Sequence, residues 1–293
     1  MPNNSVAVVG VLYPLPKTFI NDYIKSLESQ SFKEFDLILF NDGFEDAKKL
    51  KKNSLNILLE NVSGTPSEIR LKLINYIIGS NYEHIIFTDC DDFFSSNRIE
   101  TSLDLLSSNK IIFNDLDLIS ETGEILVSKY LSSRIRDGQK IIIDDLLDSN
   151  MMGLTNTATR KELLRDCMSL LTSEVIAFDW LLWSASLLNN NDAIFTSDTT
   201  TKYRIYENNI AGFPKDIGTS FLRKGITVKL LHYKELSKVN SNYKSLYEHF
   251  KYIKKMSNND DWIKEYIIAL NKHKEDNSLW WEDIKLPKEV GIL

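Results

Sequence analysis

Cysteine, histidine and long apolar runs are all scarce in this chain of 293 residues. The two cysteines, Cys90 and Cys167, are too few for a disulfide framework, which fits a reducing compartment. The four histidines show no spacing typical of a metal site. No stretch has the length and apolarity of a membrane span, and no basic segment typical of a signal peptide begins the chain. We therefore expect a cytoplasmic protein.

Strand-like and helix-like patterns alternate in the N-terminal part of the chain. The continuous apolar run from Ser5 to Leu12 is typical of a parallel strand that is covered on both faces. From Lys17 to Ser29, apolar residues recur every three or four positions, which predicts a helix. Further strands are expected at 35–40, 55–59 and 83–88, with a helix at 67–79. The alternation predicts an α/β fold with a mostly parallel sheet, helices on both faces and ligands beyond the carboxyl ends of the strands.

Carboxylates follow two of these predicted strands. Asp89, Asp91 and Asp92 come directly after one strand, and Asp42 follows another. Although acidic turns are common in solvated loops, several closely spaced hard oxygen ligands also suit a divalent cation that carries a bound diphosphate. Because the carboxyl ends of parallel strands share one edge of the sheet, both groups are expected there.

Four sequence blocks in a fixed order make the chain resemble a family 2 glycosyltransferase of the GT-A fold. The resemblance covers about residues 5–215, and its blocks are Val6–Asp46, Gly64–Arg70, Glu83–Arg98, and Phe178–Trp183 with Tyr203–Gly212. It implies a GT-A catalytic domain at 1–215 and a helical C-terminal extension at 216–293. The implied reaction is an inverting transfer of a sugar from a metal-bound nucleoside diphosphate sugar, with UDP as the expected nucleotide. The implied acceptor is a hydroxyl of a glycan or a lipid-linked acceptor, in the assembly of bacterial surface polysaccharide or another glycan.

The resemblance also implies roles for individual residues at the donor site. It assigns nucleotide-sugar binding to Leu12, Pro14, Asp42, Arg70 and Asp89. Asp42 has the alternative of an Asx turn that only shapes its loop. Arg70 has two alternatives, which are to fix an acidic loop or to be an exposed helix residue.

The resemblance further implies that Mn2+ or Mg2+ is held by Asp91 and Asp89. Asp92 either joins this group or only caps the following turn. The family often has a histidine in the metal shell where this chain has Tyr206, so the cation is left with protein carboxylates, diphosphate and water.

Asp179 is the candidate general base by the same resemblance. Family members carry an acidic pair at this point; here Phe178 replaces the first acid, whereas Asp179 keeps the register set by Trp183. A carboxylate beside aromatic rings is suited to proton abstraction. The alternative is an acid that only stabilises a helix N-terminus, and Glu174 is the second candidate for the base.

Departures from the family pattern keep two other functions open. Leu71 stands where the family usually has Asn, and together with Phe178 and Tyr206 it leaves a non-catalytic nucleotide-sugar binding protein as an alternative. A sugar-nucleotidyltransferase is the other alternative. It usually begins with a Gly-rich loop that carries Arg and Lys, whereas residues 12–17 read LYPLPK.

Charge is distributed unevenly along the chain. Its net charge is −6, but residues 222–256 contain nine Lys or Arg and two Glu, so this segment carries +7 and the remainder −13. We expect two helices here, separated near Asn240, and a third at 261–272. The basic segment predicts peripheral contact with anionic lipid or an acidic acceptor, with a solvated helix face as the alternative. The acidic remainder disfavours nucleic-acid binding.

Two adjacent tryptophans, Trp280 and Trp281, mark the C-terminal tail. Neighbouring residues cannot both face one side of a strand or helix. We expect them to clamp the tail onto the catalytic domain by core packing, or one of them to stack on an acceptor sugar.

Overall fold

A computed structural model of the chain describes residues 5–52, 54–206, 215–276 and 278–292. The described residues contain ten strands of one sheet. They are β1 (Val6–Leu12), β2 (Asp36–Asn41), β3 (Asn56–Asn61), β4 (His84–Phe87), β5 (Phe93–Phe94), β6 (Ile111–Ile119), β7 (Ile125–Val127), β8 (Lys140–Ile141), β9 (Thr157–Arg160) and β10 (Ala193–Arg204).

Eight α-helices surround the sheet in the same part of the chain. They are α1 (Lys17–Glu28), α2 (Pro66–Gly79), α3 (Arg98–Leu106), α4 (Lys161–Cys167), α5 (Phe178–Ser186), α6 (Thr219–Leu236), α7 (Ser241–Met256) and α8 (Asp260–Lys272). Short 3-10 helices lie at Glu45–Lys52, Leu131–Ser133, Ile143–Leu146, Met168–Leu170 and Pro287–Val290.

The strand order is β3-β2-β1-β4-β9-β6-β10-β5, with β7 paired to β6 and β8 paired to β10. The first four strands in this order are all parallel, as the alternating sequence pattern predicts. The short strand β9 lies antiparallel between β4 and β6, and β6 and β10 are parallel. The predicted α/β class is therefore confirmed.

The first two helices show why the sequence reading succeeds locally. In α1, the residues at helical spacing are all buried, and they are Phe19, Ile20, Tyr23, Ile24 and Leu27. Helix α2 begins with a capping box in which the Thr65 side chain accepts a hydrogen bond from the Glu68 N–H. The Glu68 carboxylate accepts the Thr65 N–H in return, so two otherwise unpaired backbone donors are satisfied.

The C-terminal helices share a hydrophobic core with the sheet. One continuous cluster of buried side chains runs from Ala7 in β1 through Trp180 and Trp183 in α5 to Ile284 and Ile292 in the tail. The predicted break between two helices near Asn240 is present, since Asn240 caps α7. Within the described ranges, no helix is both long enough and apolar enough to span a bilayer.

The basic segment 222–256 is only partly a surface feature. Lys229 is buried, and its Nζ donates a hydrogen bond to the carbonyl of Ile284 at 2.9 Å. Burial lowers the pKa of Lys229 to about 8. Lys251 pairs with Glu248 at 2.9 Å, and Lys238 pairs with Glu235. Part of the positive charge in this segment is therefore buried or paired with a glutamate three residues away in the chain.

We expect Gly225→Val in α6 to destabilise the protein by about 1–3 kcal/mol, because an added side chain overpacks the contact between α6 and the tail. A Cβ at Gly225 would lie 2.7 Å from Cγ1 of Ile284 and 3.5 Å from Cε3 of Trp281. Urea denaturation measures the loss. Gly79→Val at the end of α2 is the control, because no atom lies within 4 Å of its added Cβ. Equal losses from both variants would contradict the close docking of the tail.

Candidate functional site

A cavity of about 430 Å³ opens beyond the carboxyl ends of β1, β2 and β4. Six residues predicted from the sequence line it, and they are Pro14, Asp42, Arg70, Asp89, Asp91 and Asp179. These residues come from separate loops and helices of the chain, so the fold alone brings them together. Asp92 lines the same cavity.

Leu12 and Glu174 are not among the residues that line the cavity. The side chain of Leu12 is fully buried in the core, because alternation along β1 turns Val11 and Tyr13 toward the cavity instead. Leu12 therefore stays a predicted nucleotide-sugar residue through its backbone only. Its carbonyl accepts the Asp42 N–H at 2.7 Å. Glu174 is exposed on the loop before α5.

The loop after β2 bears on the interpretation of Asp42 as an Asx turn. The Asx-type contact is made by Asn41, whose Oδ1 accepts the Phe44 N–H at 2.9 Å. Gly43 takes a positive φ of 87°, which suits the tight turn. No hydrogen bond to the Asp42 carboxylate comes from the described residues. Asp42 therefore presents its carboxylate at the cavity without a role in shaping the turn.

The acidic turn is the segment 89–92 after β4, which contains Asp89, Asp91 and Asp92. Arg204, at the end of β10, holds this turn in place. The guanidinium is buried, and its Nε donates to the Asp91 carbonyl at 2.9 Å. The backbone N–H of Arg204 donates to Oδ1 of Asp92 at 2.8 Å. Asp92 is buried and its pKa lies well above the usual range because of burial and the neighbouring carboxylates. This geometry makes Asp92 a structural anchor for the turn.

Two phenol groups contact Asp91. Tyr206 Oη donates to Oδ2 of Asp91 at 2.8 Å, and Tyr13 Oη reaches the same oxygen at 3.1 Å. The two phenol oxygens lie 3.0 Å apart. Burial and the Asp91 charge raise the pKa of both tyrosines, so both are protonated donors at neutral pH.

Asp89 lies beside Arg70 in the cavity. The Arg70 guanidinium lies 3.8 Å from Oδ1 of Asp89, as the acidic-loop interpretation of Arg70 expects. Burial raises the pKa of Asp89 to about 6, Arg70 opposes this rise, and the charges of Asp91 and Asp179 add to it. The mutual influence shows that these carboxylates share one electrostatic environment.

Asp179 begins α5 and lines the same cavity as the acidic turn. Its Oδ2 accepts a hydrogen bond from Nδ2 of Asn150 at 3.0 Å, and its Oδ1 accepts the Trp180 N–H at 2.9 Å. Burial raises the pKa of Asp179, whereas Arg70 and these two donors lower it. The carboxylate is therefore held in one orientation by groups that favour its ionised form.

The C-terminal tail reaches Asp179 through Asn150. The backbone N–H of Asn150 donates to the Trp280 carbonyl at 3.2 Å, which forms an isolated antiparallel bridge. Trp280 and Trp281 both line the cavity. They do so because the tail turns there, with Trp281 at a positive φ of 68°. Trp281 also stacks on Phe221 of α6, with ring centroids 5.9 Å apart.

Several residues of the site carry no signal in the sequence. Asn150 lies in a segment without a regular element, and its partners are distant along the chain. Tyr13 lies in the loop at residues 12–17, whose sequence indicates only that a Gly-rich motif is missing there. Arg204 and Tyr206 belong to a predicted block, but their contacts with the acidic turn depend on how β10 and β5 pair. Residues 207–212 of that block lie outside the described residues.

Comparisons with known proteins identify the fold. No protein-family model matches the chain. The dTDP-rhamnosyl transferase RfbG of Shigella flexneri is 22% identical over 245 residues, which cover 75% of this chain and 80% of that protein. Residues 1–349 of TarS from S. aureus, solved with UDP-GlcNAc, match with a TM-score of 0.62 at 16% identity over 84% of this chain and 71% of that one.

A second solved structure is the mannosyltransferase PcManGT from Pyrobaculum calidifontis in complex with GDP-Man and Mn2+. It matches with a TM-score of 0.56 at 11% identity over 83% of this chain and 68% of that one. The chain has the GT-A glycosyltransferase fold. The predicted fold is confirmed, and the sequence likeness to RfbG supports a glycosyltransferase as the functional class.

We expect Asp89→Asn to make the protein more stable at pH 8, and this gain to shrink as the pH falls through about 6. The folded state raises the pKa of Asp89 from 3.8 to about 6, so ionisation of this carboxyl opposes folding at pH 8. At pH 5 the folded wild-type protein has largely taken up the proton while the unfolded chain is still ionised, so the advantage of the amide is smaller by about half, and it vanishes only as the pH nears 3.8. Urea denaturation at the two pH values measures the difference.

Asp46→Asn is the control with the opposite sign. Hydrogen bonds from Lys17 and Lys49 lower the pKa of Asp46 to about 2, so its replacement should cost a little stability equally at pH 5 and pH 8. A gain from Asp89→Asn that is the same at both pH values would contradict the raised pKa.

Proposed function

We propose that the chain is an inverting glycosyltransferase that moves a sugar from a nucleoside diphosphate sugar to an acceptor hydroxyl. The observation that carries this proposal is the convergence of Asp42, Arg70, Asp89, Asp91 and Asp179 on one cavity. The family resemblance implies donor-site, metal-site and base roles for these residues. A cavity of about 430 Å³ has the size expected of a small-molecule site.

The proposed donor side of the cavity combines the Asp42 carboxylate, the Arg70 guanidinium and the acidic turn. We propose that Asp42 accepts hydrogen bonds from the base or ribose, beside Pro14. Arg70, with 20% of its side chain exposed, is placed to pair with a phosphate oxygen or to balance Asp89. RfbG is named a dTDP-rhamnosyl transferase, and the two solved structures hold UDP-GlcNAc and GDP-Man. We propose UDP as the first nucleotide to test, followed by dTDP and GDP.

Hard oxygen donors make the acidic turn suitable for Mn2+ or Mg2+. Within the described ranges, no cluster of three or more His, Cys, Asp or Glu has a metal-binding arrangement. We therefore propose that Asp91 and Asp89 hold the cation together with the diphosphate and water. Oδ1 of Asp91 receives no hydrogen bond from the described residues, which leaves it open to a ligand. When bound, the cation neutralises charge on the departing diphosphate.

The acceptor side is formed by Asp179 and its neighbours. We propose that the Asp179 carboxylate takes the proton of the acceptor hydroxyl while the acceptor oxygen bonds to the anomeric carbon. The bond from that carbon to the diphosphate oxygen breaks, and its electron pair leaves with the diphosphate. Attack on the face opposite the leaving group inverts the configuration. Asn150 keeps the carboxylate oriented and favours its ionised form.

The acceptor class and cellular position are proposals that follow from the same interpretation. Trp280 is half-buried in the cavity wall and suits contact with a sugar of a glycan or lipid-linked acceptor. The exposed basic residues of 222–256 remain a proposed contact with anionic lipid for a cytoplasmic protein at the membrane face. The division into a catalytic domain at 1–215 and an extension at 216–293 is likewise proposed.

The products of nucleotide-sugar turnover distinguish this proposal from the two alternatives. Incubation with UDP, dTDP and GDP sugars and Mn2+ should release free nucleoside diphosphate. Release of pyrophosphate would instead identify a sugar-nucleotidyltransferase. Binding of a nucleotide sugar without any release would identify a non-catalytic binding protein.

We expect Asp179→Asn to lower kcat by about 10²- to 10⁴-fold while donor binding stays nearly unchanged, because the amide keeps the size of the side chain but cannot take the proton. Nucleoside diphosphate release and donor binding by calorimetry measure the two effects. Glu174→Gln is the control, since Glu174 is exposed and is not among the lining residues. Wild-type turnover by Asp179→Asn together with an inactive Glu174→Gln would assign the base to Glu174.

A further inference from the structure

The two phenols on Asp91 form a compact group of three oxygens. Oδ2 of Asp91 lies 2.8 Å from the Tyr206 hydroxyl and 3.1 Å from the Tyr13 hydroxyl, and the hydroxyls are 3.0 Å apart. All three distances are within hydrogen-bond range. Each phenol has one proton to donate, whereas an ionised carboxylate only accepts. The two phenol protons are therefore shared among three contacts. If each phenol donates within this group, at least one of them donates to Oδ2 of Asp91, because the two phenols cannot both donate to each other.

Phe19 and Arg204 support this group of oxygens. The Tyr206 ring packs edge-on against Phe19, with centroids 5.5 Å apart. The Arg204 guanidinium lies over the same Phe19 ring at 4.2 Å. The same guanidinium binds the Asp91 carbonyl. One buried arginine thus holds both the backbone of Asp91 and the ring that supports its phenol partner, so the contact belongs to a packed unit.

The hydrogen bonds leave the two oxygens of Asp91 in different situations. Oδ2 is occupied by protein donors, while Oδ1 has no such donor in the described part of the chain. Asp92 directly follows Asp91 and Asp89 lies two positions before it, and like charges would otherwise favour rotation of the Asp91 side chain away from them. The phenol contacts on Oδ2 oppose that rotation.

We propose that Tyr13 and Tyr206 are positioning residues that hold Asp91 by Oδ2, keep Oδ1 available to a divalent cation and thereby set the affinity of the site for that cation. This inference rests on the proposed function, in which Asp91 is the metal ligand. Donors that orient a ligating carboxylate commonly change metal affinity by about 10- to 100-fold when they are removed. The phenols act through Asp91 and do not themselves contact the cation.

Competition is the opposite outcome that the same contacts allow. A phenol proton on Asp91 also withdraws negative charge from the carboxylate, and a cation that needed Oδ2 would have to displace it. The two effects differ in sign. Loss of a phenol weakens cation binding if the phenols position Asp91, and it strengthens binding if they compete with the cation.

The test measures Mn2+ binding directly, by the electron paramagnetic resonance signal of free Mn2+ in the presence and absence of UDP. Tyr13→Phe and Tyr206→Phe each remove only the hydroxyl and keep the ring. We expect each to raise the dissociation constant for Mn2+ by about 10-fold or more, and the pair together by up to about 100-fold. Melting temperatures without Mn2+ show that each variant is folded, and either single variant tests the inference if the other does not fold.

Tyr82→Phe is the matched control. Its hydroxyl donates to Oδ2 of Asp36 at 2.8 Å, so it removes the same kind of phenol–carboxylate bond at a buried position away from the cavity. Its Mn2+ affinity should equal that of the wild-type protein. An unchanged or tighter Mn2+ affinity in Tyr13→Phe and Tyr206→Phe would overturn the positioning role while leaving the proposed glycosyl transfer intact. Absence of Mn2+ binding by the wild-type protein would contradict the proposed metal use and this inference together.

Discussion

Several carboxylates must be buried side by side at the end of β4, and the rest of the site depends on how the fold offsets their repulsion. Two unit charges about 4 Å apart repel by roughly 4 kcal/mol at an effective dielectric constant of 20. Arg204 holds the turn from below, Arg70 faces Asp89, and two phenols satisfy Asp91. Burial, opposed by Arg70 and aided by the charges of Asp91 and Asp179, still leaves the pKa of Asp89 raised. A cation that binds here would complete the compensation of these charges, which links the electrostatic strain of the free protein to ligand binding.

Beneath the turn, Arg98 supplies a further buried positive charge. Its Nη2 donates to the Phe87 carbonyl at 2.7 Å, and its Nε donates to the Asn114 side chain. Burial lowers the pKa of Arg98 to about 9. The guanidinium also lies over the Phe94 ring at 4.4 Å. The end of β4, the start of α3 and the middle of β6 are therefore tied to one another directly under the candidate metal ligands.

The sequence predicts those parts of the protein that depend on local pattern. The strand at β1, the amphipathic face of α1 and the cap of α2 follow from spacing within a few residues, and Asp42 and Asp89 follow from their places after strands. Contacts between distant segments have no such periodicity. Tyr13 and Tyr206 reach Asp91 across 78 and 115 residues of chain. The burial of the Leu12 side chain has a related origin, since a motif block does not state which side of a strand each residue faces.

The link from the tail to Asp179 has a similar origin. Asn150 joins the Asp179 carboxylate to the backbone of Trp280, so the tail, which is expected to pack on the catalytic domain or to stack on an acceptor sugar, also contacts the residues that orient Asp179. Because that segment shares its core with α5 and α6, the extension and the sheet contribute to one packed unit. Folding of the C-terminal part and orientation of the candidate base are therefore coupled.

The most direct test of this account is a crystal structure of the protein with UDP and Mn2+. The account predicts the diphosphate and the cation at the acidic turn, with Mn2+ on Oδ1 of Asp91 and the base or ribose at Asp42. It also predicts that the Asp179 carboxylate faces the anomeric carbon of the transferred sugar. A nucleotide bound elsewhere on the protein, or one bound in the cavity with its diphosphate away from Asp91, would contradict the central claim.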